Sequence, residues 1–282
     1  MNRFFIVFLS LISMMGAKEA PLRLDFGVYP SDRATVMYRK FTPILEAIRT
    51  PLENQLGCDV DIHLTIFRDY DSGIEALAKG EVDFVRFGPA SYILAEQKNE
   101  EIKLLAMELR KGLKRFNGLI ITHADSGITS MKDLQGRSFA FGSENSTIGR
   151  FLAQSLMLEY GIDEEALGQF NYLDRHDNVA RAVINGTHDA GALKSSTYKK
   201  LCDPEEIVVI KAFENVTKPW VASSDLSKEI RDAITQSLLM LEDPEVISEL
   251  GCSGFAESNR KEYDLVREGM KHAAGFTKSD KE

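Results

Sequence analysis

The sequence predicts an α/β protein with mostly parallel sheets and helices on both faces. Apolar runs rich in β-branched and aromatic residues alternate with segments of helical periodicity, the pattern of βαβ units. One such unit also recurs. Shifted by 106 residues, YDSGIEALAKGEVDFVRFGPASY (70–92) lies on HDNVARAVINGTHDAGALKSSTY (176–198), so that Asp71 meets Asp177, Gly80 meets Gly186, Asp83 meets Asp189 and Tyr92 meets Tyr198. Either any helix–Gly–strand unit looks like this, or each of two lobes contains the same unit. In the second case Tyr70 and His176 begin equivalent helices and face each other across a cleft. A chain of 282 residues is long enough for two modest lobes or one large domain.

The elements follow in order. LRLDFGV (22–28) reads as a buried strand and YPSD as its turn. A helical pattern then runs to Leu56 and stops at Gly57, and VDIHLTIF (60–67) is the next strand. Residues 69–80 form a short helix closed by Gly80, 82–87 a strand, and GPASYILAEQ a helix with Pro89 in its first turn. The alternation resumes with FNGLIITH, a short helix at Met131–Leu134, RSFAF, the helix after Ser146, QFNYL, the helix from His176, HDAGAL and EEIVVIKAF (205–213). From Ser227 onward only helices are expected.

MNRFFIVFLSLISMMGA has a basic start, an apolar run and small residues at its end, the layout of a signal peptide over residues 1–17. The apolar run is well short of the ~20 residues that span a bilayer. A soluble, exported, monomeric protein is expected. A net charge of −9 argues against nucleic acid as a partner. Cys58, Cys202 and Cys252 are an odd set with no metal-ligand spacing, so at most one bridge can form within the chain. The histidines are scattered and no HExxH, P-loop, GxGxxG or GxSxG motif occurs, so neither a metal nor a cofactor is expected. A hydrolase built from Ser146, His176 and Asp189 is disfavoured, because Asp189 lies at the start of a strand on the far side of the helix that His176 begins.

The most informative stretch is GSENSTIGRFLAQSLMLEYGI (142–162), where a polar turn runs into a helix. The first N–H groups of a helix have no internal partner, and the helix dipole places about half a positive charge there. Asn145, Ser146 and Thr147 beside such N–H groups make a neutral anion cradle at the carboxyl end of a strand, where ligands bind in open α/β sheets. The simpler reading is that Ser146 is an N-cap and nothing more. No catalytic residue is assigned.

These motifs, taken in order from about Leu22 to Leu241, resemble the phosphonate/phosphite/phosphate-type substrate-binding proteins of ABC importers. The resemblance implies a two-lobed periplasmic binding protein fold of type II that closes on a small anionic ligand and docks on a membrane permease; the same fold can instead report to a sensor kinase. Lobe I would comprise 21–113 plus 215–282 and lobe II 114–214, with hinges near 110–118 and 211–219. Residue by residue, it implies ligand contacts from Tyr70, from Ser146 and Thr147 of a Ser-Thr-Ser grip, and from His176. Ile148 replaces the last grip hydroxyl, and Phe116-Asn117-Gly118 lacks the family's tyrosine. Ser196 and Lys218 stand where aminoalkylphosphonate binders carry acids. Lys218 either adds positive charge near the cleft or is a solvated residue. Tyr29, Phe116 and Trp220 are candidates to line the ligand's apolar side.

Overall fold

The computed structural model describes residues 20–30 and 33–277; the expected signal peptide lies outside them. Strand β1 (Leu22–Val28) buries Leu24, Phe26 and Val28, and α1 (Ala34–Leu56) follows. Gly57 ends α1 at φ 69° and sends its N–H back to Glu53 O, a left-handed cap that favours glycine. Next come β2 (Val60–Ile66), α2 (Tyr70–Ala78), β3 (Phe84–Arg86), α3 (Pro89–Lys98) and β4 (Lys103–Glu108). Asp69 caps α2 by a reciprocal box with Ser72, and Pro89 opens α3 where a missing N–H costs nothing.

The chain then builds β5 (Arg115–His123), β6 (Ser138–Phe141), α4 (Leu152–Glu159), β7 (Gln169–Tyr172), α5 (His176–Ile184), β8 (Ala190–Lys194), α6 (Ser195–Leu201) and β9 (Ile207–Val216). It returns through β10 (Pro219–Ala222), α7 (Lys228–Leu239), α8 (Pro244–Leu250), β11 (Phe255–Ala256) and α9 (Asp264–Ala273). Among the described residues the strands form a six-stranded sheet, β11-β4-β10-β3-β1-β2, and a five-stranded sheet, β7-β6-β8-β5-β9.

The sheets are mixed rather than mostly parallel. Each contains a parallel trio, β2-β1-β3 and β7-β6-β8. The strands that lead into or out of the other sheet, β4, β10, β5 and β9, pair antiparallel. β11 corrects the expectation of helices alone from Ser227 onward, and β10 is a strand that the sequence pattern did not mark. β10 is four residues long and buried throughout, and β11 has two residues, so neither shows the alternation that marks a strand in sequence.

The internal repeat is structural. In the first sheet Phe26 pairs with Phe84 and Gly27 with Val85; in the second Phe139 pairs with Ala190 and Ala140 with Gly191. The partners on β3 and β8 are the positions that the sequence shift aligns. Asp83 accepts the Asp25 N–H at 2.7 Å, and Asp189 accepts the Ser138 N–H at 2.8 Å. The repeated aspartate ties the corner before one strand to the start of its neighbour in both halves.

Trp220 was a candidate for the ligand's apolar wall. It is instead fully buried in the first sheet's core, stacked on Phe26 at 4.9 Å and edge-on to Phe255 at 5.6 Å. Cys58, Cys202 and Cys252 are all free thiols. The chain crosses between sheets after β4 and after β9, and the crossings are bonded to each other through Thr217 N–H and Lys114 O at 3.0 Å.

The carboxyl end does not pack on the first sheet alone. Val266 and Ala273 of α9 join the core beneath α3, whereas a Cβ on Gly269 would come within 2.5 Å of Leu152 on α4. Ser155 of α4 pairs with His272 at 3.0 Å, and Phe276 sits between Phe141 and Phe170 in the second sheet's core. A Phe276→Ala substitution is therefore expected to destabilise the protein by about 3–5 kcal/mol, the cost of emptying a buried phenylalanine site. Urea denaturation measures it; a change within 0.5 kcal/mol would mean that the anchor carries no load.

Candidate functional site

One small cavity of about 30 Å³ lies where the two sheets meet. Its lining follows from topology. Tyr29, Tyr70 and Gly88 come just after β1, β2 and β3; Ser146, His176 and Lys194 come after or at the ends of β6, β7 and β8. All six strands of the parallel trios thus discharge into the same space, the ligand position of open α/β sheets. Most of these residues also begin or cap helices, so several orphan N–H groups and positive dipole ends gather there.

The grip has an unusual start. Ser146 Oγ accepts the Gly149 N–H at 2.9 Å, and the backbone from Thr147 to Phe151 forms a single π-turn before α4 begins. Ser146 O receives N–H groups from both Arg150 and Phe151, each at 3.1 Å. Ser146 is therefore an N-cap, as the simpler reading held, but accepting a bond leaves its own proton available to donate. Thr147 Oγ1 accepts the Ala90 N–H at 2.9 Å across the cleft and likewise retains a proton. Glycine is required twice. A Cβ on Gly149 would lie 2.8 Å from Gly142 Cα, and one on Gly88 would lie 2.9 Å from the Tyr29 hydroxyl.

Tyr29 stacks on Tyr70 with ring centroids 3.8 Å apart, and its hydroxyl accepts from Gly88 N–H at 2.5 Å and pairs with Ser91 at 2.9 Å. Tyr29, Tyr70, Ser146, Thr147, His176 and Lys218 all line the cavity. Asn145 does not: its amide donates to Asp71 at 2.7 Å, linking the loop before α4 to α2. Ser196 lies in a neighbouring outer groove. Arg110, Lys194 and Asn215 line the cavity without having been singled out in the sequence. Arg110 lies in the crossing after β4 and Asn215 near the end of β9, and nothing in their local sequence marks them as site residues.

No carboxylate lines this cavity among the described residues, while Arg110, Lys194 and Lys218 do. Behind them Arg86 and Glu108 form a buried pair with contacts of 2.6 and 2.9 Å. Burial pushes the Glu108 carboxyl up, but Arg86 outweighs it and holds it below its usual range. Burial, then Arg86 and Lys194, push the Lys218 ammonium well down, and Glu108 offsets this only in part. Burial is also the main force on His176, with Lys194 and Lys218 adding to it, so its pKa falls well below the usual value. His176 Nδ1 and Asn215 Oδ1 are buried without a hydrogen-bond partner, a costly state for a protein to keep. His176 and Asp189 do not form a catalytic relay: Asp189 accepts from the Ser138 N–H and hydroxyl at 2.8 and 2.7 Å.

Residues 26–263 match the family described as "ABC transporter, phosphonate, periplasmic substrate-binding protein". The chain belongs to this family. It is 23% identical to the probable ABC transporter phosphite binding protein PhnD1 of Prochlorococcus marinus (strain MIT 9301), over 94% of this chain and 96% of that protein. Identity to the phosphate-import protein PhnD of Mycolicibacterium smegmatis is 22%, over 94% and 89% of the two chains. The solved structure of PhnD1 from P. marinus in complex with methylphosphonate superposes with a TM-score of 0.77, at 20% identity, covering 89% of this chain and 98% of that one. These periplasmic binding proteins share the two-lobed α/β fold.

The depressed His176 pKa sets a pH dependence. The unfolded chain takes up this proton near pH 6.5, whereas the folded, ligand-free protein resists it until lower pH. Folding stability from this group is present above about pH 6.5 and is lost as pH falls below it. The melting temperature of the ligand-free protein is therefore expected to fall less between pH 7.5 and 5.5 in His176→Gln than in the wild type. Equal falls would mean that His176 titrates as it does in water.

Proposed function

We propose that this protein captures a phosphonate-, phosphite- or phosphate-like oxyanion in the inter-lobe cavity and delivers it to an ABC permease, without chemical turnover. Lobe I (21–113 plus 215–282) and lobe II (114–214) would close around the ligand, which each lobe contacts only in part when open. Export through the amino-terminal segment would place it in the periplasm, where it would act as a monomer with no nucleic-acid partner.

The observation that carries this reading is a cavity at the ends of both parallel trios that, among the described residues, no carboxylate lines, while three basic side chains and several helix starts do. A volume of about 30 Å³ suits two or so waters, the scale of one tetrahedral oxyanion. Ser146, Thr147 and Tyr70 would donate hydroxyl protons to its oxygens, and His176 Nδ1 would donate once protonated on that nitrogen. Lys218 would supply a charge with which the ligand, rather than a protein acid, pairs. Charge-assisted hydrogen bonds contribute about 1.5–3 kcal/mol each, so a few support tight binding despite the net negative charge.

The Ser146→Ala, Thr147→Ala double variant is expected to bind methylphosphonate and phosphate at least about 100-fold more weakly, the loss of two such bonds. Isothermal titration calorimetry reads it. Thr147→Ser retains a hydroxyl and is expected to stay within about fivefold of the wild type. Unchanged affinity in the double variant would place the ligand elsewhere.

Bound anion also raises the depressed pKa values of Lys218 and His176, so binding should take up protons. Calorimetry in two buffers of different ionisation enthalpy is expected to show greater uptake for the wild type than for Lys218→Met. Equal uptake would remove Lys218 from the site.

A further inference from the structure

Beside the small cavity lies an open groove of about 830 Å³, and the two share Arg110 and Phe116. The Arg110 guanidinium rests over the Phe116 ring at 4.9 Å. Among the described residues no carboxylate lies within ion-pair distance of Arg110. The nearest candidate, Glu108, gives both oxygens to Arg86 and receives the Trp220 N–H at 3.4 Å. A half-buried guanidinium with a planar fork and no carboxylate among the described residues to hold thus stands at the waist between inner cavity and outer groove.

The groove beyond is basic where it is not neutral. Lys111 and Lys199 line it, and its acid, Glu214, is matched by Arg115 at 3.4 Å. Ser196 occupies the groove and Lys218 the cavity, so neither offers an acid to an amine.

We propose that the ligand is a phosphonate whose organic substituent carries a carboxylate, with the phosphonyl group in the inner cavity and the carboxylate bound bidentately by Arg110. This inference rests on the oxyanion reading above and adds the identity of the substituent. Arg110 reads the carboxylate because its fork matches two coplanar oxygens, and Phe116 holds the guanidinium plane in place. The groove gives longer substituents room to continue toward solvent.

The test compares phosphonoacetate, ethylphosphonate and 2-aminoethylphosphonate by calorimetry on the full chain. Phosphonoacetate is expected to bind at least about tenfold more tightly than ethylphosphonate, and 2-aminoethylphosphonate more weakly than either. In Arg110→Gln the ratio of the first two should fall to near one. Arg110→Lys keeps the charge but loses the fork, and should lower the ratio several-fold; it serves if the glutamine variant does not fold. Equal affinities in the wild type, tighter binding of the amine, or a ratio that survives in both variants would overturn this inference while leaving the oxyanion reading standing. If none of these compounds binds, and neither phosphate nor methylphosphonate does, the oxyanion reading falls and this one falls with it.

Discussion

The architecture depends on concentrating positive potential inside an acidic protein. Two parallel strand trios, one in each sheet, bring Tyr29, Tyr70, Gly88, Ser146, His176 and Lys194 to one place. Helix starts carry partial positive charge by virtue of the backbone alone, and Arg110, Lys194 and Lys218 add whole charges. The effect on the site's own bases is direct: burial and the neighbouring positive charges lower the pKa of both Lys218 and His176. The buried Arg86–Glu108 pair beneath them moderates the field without lending the cavity a free carboxylate.

The loop before α4 bonds the second sheet to the helices of the first. Thr147 belongs to the grip, yet its hydroxyl already receives the Ala90 N–H from α3, and Asn145 reaches Asp71 on α2. The loop that lines the cavity is therefore also the loop that touches α2 and α3. At the far side α9 packs on both α3 and α4, and Phe276 closes the second core. Arg267 and Arg260 on this carboxyl-terminal stretch bind Glu96 of α3, which fixes the helix whose first turn meets Thr147. The loop before α4, α3 and the carboxyl-terminal stretch are thus joined by one run of bonds.

Much of the candidate site was legible because its residues lie in short segments. Ser146 and Thr147 sit together at a strand-to-helix turn, and Tyr70 and His176 are matched by an internal repeat whose reality the Asp83 and Asp189 corner bonds establish. The misreadings have a common cause. Trp220 has an aromatic's credentials for a ligand wall, but β10 is buried on both faces and delivers it to the core. Asn145 precedes the grip in sequence, yet a turn of backbone directs its amide to Asp71. Arg110, Lys194 and Asn215 carry no local signature of a site. They converge only because the chain crosses between the sheets beside the cavity.

The sequence by itself determined the alternation of strands and helices, the repeated unit, the helix-start cradle and the family, because each depends on residues within one or two turns of chain or on motifs in a fixed order. Tertiary structure alone decided the mixed pairing of the sheets, the crossing of α9 to the second core, the gathering of Arg110, Lys194 and Lys218 around the cavity and the placing of Arg110 at its mouth. Those features depend on which distant segments become neighbours. Neighbourhood in space is set by the packing of whole elements, which no local pattern of residues encodes.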